Sequence, residues 1–277
     1  MNNFLDNYAR LIEEKKSIVC VGLDPAIPNQ RNNNVIPARY IKGNDMNEAR
    51  LNFCLDIIDD VSDFTIAIKL NEQYMFGMTE SQHLAITNLI KKNSMLSIYD
   101  CKLGDIAESS ESKIYWIQRT GYDAFTVFPN PGNLYKIVHF AHNFLPSIGV
   151  IAVTLMSNPE AQKYFIASKH RKKSLYLEIA SDVKKFNADG CVVGSTKHIT
   201  ASSIKKIRET IKKKRVILFP GIGAQKGDAE KVIKFGGNNI LINIGRKIIF
   251  SKDPALSAKE YSKKFHSLRK ELLKPDN

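Results

Sequence analysis

Apolar residues along this chain fall into short continuous runs instead of alternating with polar ones. Such runs are typical of parallel strands that helices cover on both faces. Eight runs can be distinguished, at residues 18–24, 64–71, 95–102, 123–129, 148–155, 190–195, 215–223 and 239–246. The pattern therefore predicts eight buried strands, most of them separated by segments long enough for a helix.

The spacers carry the periodicity and capping residues of helices. Helices are predicted over residues 80–93, 106–120, 203–214 and 228–235. Thr79 is placed to cap the first of these. Asp253 precedes Pro254, a cap followed by a first-turn proline. The chain also begins with an amphipathic helix whose apolar face comprises Phe4, Tyr8, Leu11 and Ile12.

Eight strand–helix units in about 250 residues predict a (β/α)8 TIM barrel, an α/β fold, as a single domain over residues 1–277. A doubly wound open sheet is the main alternative, but no GxGxxG follows the first strand. One segment departs from the regular alternation of strands and helices. Residues 25–44, rich in Asn and Pro, predict a long inserted loop in the first βα connection, at the end where barrels place active sites.

Composition narrows the classes of function. No apolar run reaches the roughly 18 to 20 residues of a membrane span, and the first residues lack the order of a signal peptide, so a cytoplasmic protein without membrane contact is expected. The four cysteines form no CxxC pair and are expected to be reduced. The net charge of +13 could indicate nucleic-acid binding, but the basic residues concentrate at 169–173 and 212–215. Solvated faces on or just after helices are favoured, so no nucleic-acid partner is expected.

Polar residues gather at the predicted strand ends, where the functional residues of barrels project. The candidates are Asp24, Lys69, Asn71, Asp100, Lys102, Asp105, Ser157, Gln225 and Arg246.

Side chains alternate along a strand, so Asp100 and Lys102 share a face, as do Lys69 and Asn71. Buried charges must be paired. A simple strand-end salt bridge is one interpretation, and an Mg²⁺ site using Asp100 and Asp105 is another. Two lysines would repel a cation. A lysine that is held protonated between two carboxylates, and that acts as a proton donor, is the third and favoured interpretation.

A second cluster comprises PGIGAQKGD (220–228) and INIGR (242–246). Glycines after the seventh strand let the backbone approach an anion, and loops seven and eight form the usual phosphate site of this barrel. Gly245 closes the eighth strand, and the guanidinium of Arg246 can hold two phosphate oxygens. The cluster therefore predicts binding of a phosphorylated ligand.

These motifs together resemble the orotidine 5′-phosphate decarboxylase family, in its longer, second branch. DCKLGDIAES (100–109) fits the DxKxxDI signature of that family, and VGLDP, KLN, MSNP and PGIGAQ follow in the expected order. The resemblance implies decarboxylation of orotidine 5′-phosphate to UMP in pyrimidine biosynthesis, with no metal or organic cofactor.

The resemblance also implies roles for individual residues. Lys69, Asp100, Lys102 and Asp105 would form the catalytic network, with Lys102 protonating C6 of the pyrimidine. Asp105 and Ser109 would reach into the neighbour's site across a homodimer. The remaining roles are ribose binding by Asp24 and Lys69, pyrimidine binding by Ser157 with Asn71 nearby, and phosphate binding by Gln225 and Arg246.

Two other functions remain open at this point. One is a Mg²⁺-dependent sugar-phosphate decarboxylase or aldolase of the same barrel superfamily, in which an acid would be expected where this chain has Lys69. The other is a basic nucleic-acid-binding protein on an inactive barrel, which would have no need of buried charges.

Overall fold

The computed structural model describes residues 3–43, 45–223 and 227–273. Eight parallel strands close into a barrel, because the first strand pairs with both the second and the last. Two further short strands form an antiparallel hairpin. The strands are β1 (Val19–Leu23), β2 (Ala67–Asn71), β3 (Leu96–Leu103), β4 (Ala124–Val127), β5 (Gly149–Leu155), β6 (Lys169–His170), β7 (Lys173–Ser174), β8 (Gly190–Val193), β9 (Val216–Pro220) and β10 (Ile240–Ile244).

Helices surround the barrel. They are α1 (Phe4–Lys15), α2 (Ala38–Ile41), α3 (Met46–Val61), α4 (Glu72–Met75), α5 (Glu80–Lys92), α6 (Ala107–Arg119), α7 (Leu134–Phe144), α8 (Leu175–Lys185), α9 (Ala201–Ile211), α10 (Ala229–Gly236), α11 (Arg246–Ile249) and α12 (Pro254–Leu272), with a 3₁₀ turn at Ser62–Phe64 and a π-helix at Gln162–Ala167. The predicted (β/α)8 barrel is confirmed, and closure of the sheet excludes the open doubly wound alternative. In the described part of the chain, no helix combines the length and apolar character that crossing a bilayer requires.

Helix α1 covers the N-terminal end of the barrel. Its predicted apolar face is buried as expected. The Tyr8 hydroxyl donates to the Ile240 carbonyl, 2.9 Å away at the start of β10. The Phe4 ring lies where a Cβ on Gly149 would be, at the start of β5. Since this end is closed, the opposite end is left for a ligand.

The predicted caps are confirmed. Thr79 begins α5 with a capping box that includes Gln82, and Asp253 accepts from the Leu256 amide at the start of α12. The helix predicted at 203–214 begins and ends earlier than expected. Thr200 caps it, and Lys212 adopts a φ of +67°, a left-handed conformation that ends the helix.

The two basic runs lie at opposite ends of the barrel. Residues 169–173 lie in the hairpin β6–β7, just after the π-helix Gln162–Ala167 and before α8, in agreement with a position just after a helix. Residues 212–215 begin just after α9 and precede β9, as predicted. A βα connection lies at the C-terminal end of a barrel and an αβ connection at the N-terminal end. The two runs therefore do not form one continuous patch.

Candidate active site

A cavity of about 280 Å³ opens at the C-terminal end of the barrel. Apolar side chains from β5, β8 and β9 contribute Val153, Val192 and Leu218 to its wall. Polar side chains form the rest of the cavity wall. They are Asp24, Lys69, Asn71, Asp100, Lys102, Ser157, Asn243 and Arg246. Of the strand-end candidates predicted from the sequence, most therefore line a single cavity.

Asp100 lies between two lysines in this cavity. Its Oδ2 is 2.7 Å from Lys69 Nζ, and its Oδ1 is 2.8 Å from Lys102 Nζ. Lys69 and Asp100 are buried, at 7% and 9% exposure, whereas the Lys102 side chain is 39% exposed. The sequence predicted a lysine between two carboxylates. Within one chain the structure instead has a carboxylate between two lysines. All three residues line the cavity, and Lys102 is the most exposed of them.

Asp100 and Lys69 stay ionised. Burial alone raises the pKa of Asp100, but the charges of Lys69 and Lys102 and their hydrogen bonds outweigh it and hold that pKa well below its ordinary value. Burial alone lowers the pKa of Lys69, but the charges of Asp100 and Asp24 raise it above its ordinary value. Asp100 is therefore a fixed carboxylate and Lys69 an ammonium group at neutral pH.

Strand β3 is irregular where it carries Lys102. Its pairing with β4 shifts register between Tyr99 and Leu103, and Lys102 has a φ of +48°, which non-glycine residues rarely adopt. The buried Thr126 of β4 stabilises this bulge. Its Oγ1 accepts from the Lys102 amide and donates to Asp100 Oδ1, both at 2.9 Å. Thr126 thus fixes the backbone of one triad member and the side chain of another.

Substituting Thr126→Val should lower kcat more than it changes KM. Valine keeps the shape but removes both hydrogen bonds, leaving the Lys102 amide without its partner. We expect unfolding free energy to fall by about 1–3 kcal/mol, measured by urea denaturation alongside steady-state kinetics. The buried Thr154 of β5, whose hydroxyl donates to the Ala152 carbonyl, offers Thr154→Val as a matched control. Equal kinetic losses in both variants would remove Thr126 from the positioning role.

Asp105 and Ser109 lie outside the cavity. The Asp105 side chain accepts from the Ile106 amide, and its carbonyl accepts from Asn133 and Ser110. Both residues are exposed and line a second groove beside α6. Lys102 lines the groove as well as the cavity. Within one chain Asp105 therefore does not join the triad, and its place in the site of a neighbouring chain stays a prediction.

Asn71 and Ser157 are held by local contacts. The Asn71 side chain caps α4 by accepting from the Gln73 amide. The Ser157 carbonyl accepts from the Thr196 hydroxyl. A Cβ on Gly194 would lie 2.6 Å from Ser157 Cα, so glycine is needed there for close approach. Asn71 and Ser157 therefore each lie just after a strand, in a segment that these contacts hold in place.

Gly245 and Arg246 line the cavity on the side of β9 and β10. A Cβ on Gly245 would lie 3.0 Å from the Gly22 carbonyl oxygen, so a larger residue would push β10 from β1. Pro220, Gly221 and Ile222 line the same side. Gln225, the other predicted phosphate ligand, lies outside the described residues.

Three residues of the site escaped the sequence interpretation. Thr126 and Asn243 each place a polar side chain on an otherwise apolar barrel strand, and that interruption was the available signal. Asn243 lines the cavity and accepts from Cys20 Sγ at 3.6 Å. Arg31 of the first loop forms an ion pair with Asp24 at 3.1 Å. An arginine in an Asn-rich loop gave no signal.

The described residues around the cavity offer neither a reactive thiol nor a set of metal ligands. All four cysteines are free, as predicted, and burial raises the pKa of the Cys20 thiol to about 12. Among the described residues, no three His, Cys, Asp or Glu side chains are grouped so as to hold a metal ion. Both Asp100 oxygens already contact ammonium groups, and Asp105 is directed elsewhere, so these two acids do not form the alternative Mg²⁺ site.

The sequence of this chain matches a known family of enzymes. The sequence model of the orotidine 5′-phosphate decarboxylase / HUMPS family matches residues 17–261. The chain belongs to this family. Curated decarboxylases resemble it along most of their length, at 29% identity for the orotidine 5′-phosphate decarboxylase of Dechloromonas aromatica (92% of this chain, 93% of the relative) and 29% for that of Flavobacterium johnsoniae (95% of each). The sequence predicted a carboxy-lyase, and this prediction is confirmed, because the curated relatives are decarboxylases of that class.

Solved decarboxylase structures share the fold. The orotidine 5′-monophosphate decarboxylase of Plasmodium berghei superposes with a TM-score of 0.79 at 18% identity, over 98% of this chain and all of that one. The OMP decarboxylase of Leishmania donovani gives 0.77 at 20% identity, over 97% and 99%. At this identity the structural likeness supports the barrel alone, and the decarboxylase family assignment rests on the sequence match.

Proposed function

We propose that this chain converts orotidine 5′-phosphate to UMP and CO₂ without a metal ion or organic cofactor. The observation that carries the proposal is the Lys69–Asp100–Lys102 triad at the cavity wall, in which Lys69 and Asp100 are buried and Lys102 is partly exposed. A carboxylate held between two lysines, one of them accessible, suits a reaction that releases CO₂, leaves a carbanion and then gains a proton. The curated relatives named for this reaction support the same substrate.

The residues around the cavity suggest how the substrate would lie. Arg246 and the loop after β9, with Gln225, would bind the phosphate. Asp24 and Lys69 would bind ribose hydroxyls, and Ser157 would hydrogen-bond the pyrimidine, with Asn71 near it. Phosphate is remote from C6, yet its binding energy can organise the site and so contribute to the chemical step.

Lys102 would perform the proton transfer. Breaking the bond between C6 and the carboxylate releases CO₂ and leaves the electron pair on C6. The Lys102 ammonium group stabilises this charge as it develops and then gives its proton to C6. The resulting neutral amine regains a proton from water, to which this partly exposed side chain has access. Asp100 holds the ammonium group in place.

A homodimer would complete the site. Asp105 and Ser109 face away from the cavity of their own chain, in the groove that also reaches Lys102. Ile106 and Trp116 expose large apolar surfaces beside this groove, at 61% and 51% exposure. A second copy covering this face would bury those side chains, and Asp105 and Ser109 would be shared across the interface.

Turnover in excess EDTA tests the proposal against a metal-dependent relative. We expect full activity on orotidine 5′-phosphate after chelation and dialysis, because two lysines flank the only carboxylate of the triad. Activity that disappears on chelation and returns with Mg²⁺ would contradict a metal-free reaction.

Replacing Arg246 with alanine should weaken UMP binding by about 10- to 100-fold, the range for losing a charge-assisted contact. Uridine binding should change little, because uridine has no phosphate. Isothermal titration of the variant with each ligand provides the comparison. An equal loss of affinity for UMP and uridine would show that Arg246 does not bind the phosphate.

A further inference from the structure

The first loop places Arg31 beside Asp24, at the edge of the cavity. The Ile27 amide donates to the Gln30 side chain, and the Gln30 amide donates to the Ile27 carbonyl, closing a turn just before Arg31. On the far side of Arg31, the Ile36 amide donates to the Ala26 carbonyl. This folded segment returns Arg31 to the end of β1, where Asp24 lies.

Arg31 joins two of the connections that carry site residues. Its Nη2 donates to Asp24 Oδ2 at 3.1 Å, and its Nε donates to the Tyr74 hydroxyl at 2.9 Å. The guanidinium also lies 4.2 Å from the centre of the Tyr74 ring. Tyr74 belongs to α4, which follows β2 directly, the strand of Lys69 and Asn71. Arg31 therefore ties the ends of β1 and β2 together.

This ion pair differs from an ordinary surface pair. The side chains of Arg31 and Asp24 are only 18% and 22% exposed, and the planar guanidinium holds two acceptors at once. Asp24 also lines the cavity, where its charge acts on Lys69. Any movement of Asp24 would therefore alter the environment of the triad as well as the rim.

One oxygen of Asp24 has no partner among the residues that the structure describes. Oδ2 accepts from Arg31, whereas Oδ1 is buried and accepts no hydrogen bond from this part of the chain. A buried carboxylate oxygen without a donor costs free energy. A ligand hydroxyl can supply that donor. Among the parts of a nucleotide, only the sugar presents hydroxyl groups of this kind.

We infer that Arg31 is a positioning residue that orients Asp24 so that its unpartnered oxygen accepts from a ribose hydroxyl. The first loop thereby makes the site selective for ribonucleotides over deoxyribonucleotides. This inference rests on the proposed function, because it takes the ligand to be a nucleotide. It also gives a role to the long first connection, for which the sequence offered no motif.

A double-mutant cycle tests the inference, with UMP and its 2′-deoxy and 3′-deoxy analogues as probes. Arg31→Ala should weaken UMP binding about tenfold or more, the effect of losing a hydrogen bond to a charged group. The analogue lacking the relevant hydroxyl should bind equally to both proteins. In an Asp24→Asn background, Arg31→Ala should have less than about a twofold further effect, because the group it positions is already altered.

Three further variants sharpen the test. Arg31→Lys should restore binding only in part, since an ammonium group cannot hold both acceptors in the same fork. Tyr74→Phe should cause a smaller loss, because the ring remains. Arg39→Ala is the matched control, since this exposed arginine of the same loop donates to Tyr40 instead of Asp24. It should leave the discrimination between UMP and the deoxy analogues unchanged.

The outcomes separate the inference from the proposed function. If the unsubstituted chain turns over orotidine 5′-phosphate but Arg31→Ala weakens UMP and both deoxy analogues equally, the inference is overturned alone. Full additivity with Asp24→Asn would overturn it as well, because it would show a general structural role. If the unsubstituted chain neither turns over the substrate nor binds UMP, both fall together.

Discussion

Replacing Lys102 with alanine is expected to abolish decarboxylation while leaving UMP binding nearly unchanged. In the proposed mechanism, the variant loses both the proton donor and a charge that stabilises the C6 carbanion. General acid catalysis contributes about 10²- to 10⁴-fold, and a preorganised electrostatic contact about 10²- to 10³-fold. A fall in kcat of at least about 10⁴-fold should follow, measured by the loss of substrate absorbance with concentrated enzyme.

Two companion variants separate charge from proton transfer. Lys102→Arg keeps a positive charge, but a guanidinium does not give up its proton in proteins. We therefore expect it to bind UMP and to remain nearly inactive. Lys91→Ala, an exposed position on α5, should behave like the unsubstituted protein. Substantial turnover by Lys102→Ala would remove this lysine from the proton-donor role.

Replacing Asp100 with asparagine should damage both stability and turnover. The substitution leaves Lys69 and Lys102 close together without their common counter-charge, and Lys69 is buried. Removing one partner of a buried ion pair costs about 3–5 kcal/mol. We expect that loss in urea denaturation, together with a large fall in kcat, because neither lysine is then held in place.

The half-buried Asp123 provides a control for this substitution. Its carboxylate accepts from the Ser97 amide and hydroxyl near the start of β4, away from the cavity. Asp123→Asn should lower the unfolding free energy but leave kcat per folded molecule close to that of the unsubstituted protein. If Asp100→Asn were as active as Asp123→Asn, the triad would have no catalytic role.

The pH dependence of stability follows from the same charges. The pKa of Asp100 is depressed in the folded protein, so its contribution is present above the unfolded value of about 3.9 and is lost as pH falls through the lower folded value. The pKa of Lys69 is raised, so its contribution is present below the unfolded value of about 10.4 and is lost as pH rises through the higher folded value. The contribution of these two groups to the stability of the unsubstituted protein should therefore stay constant from about pH 5 to about pH 9, measured by urea denaturation across that range.

Much of the fold could be predicted from the sequence, because local and global signals agree. Continuous apolar runs specify strands that are buried on both faces, and Thr79 and Asp253 are caps whose chemistry acts within three residues. The meeting of Asp24, Lys69, Asp100 and Arg246 in one cavity also follows, since parallel strands bring their C-terminal ends to one face. These inferences need only periodicity and topology.

The finer geometry depends on contacts that no local pattern specifies. Regular alternation would not predict the left-handed Lys102, which depends on the register shift against β4 and on the Thr126 hydroxyl. The Asp105 side chain accepts from the Ile106 amide, and its backbone carbonyl accepts from Ser110 and Asn133, contacts that are tertiary or turn-specific. Arg31 reaches Asp24, seven positions earlier, because the first loop folds back, and loop conformation has no periodic signal.

Conversion of orotidine 5′-phosphate in D₂O, followed by proton NMR, tests the central claim most directly. We expect the purified, metal-free protein to produce UMP in amounts equal to the substrate consumed, with deuterium at C6. In the proposed mechanism, that position receives its hydrogen from the exchangeable Lys102 ammonium group when CO₂ departs. An unchanged spectrum of orotidine 5′-phosphate under these conditions would contradict the proposed function.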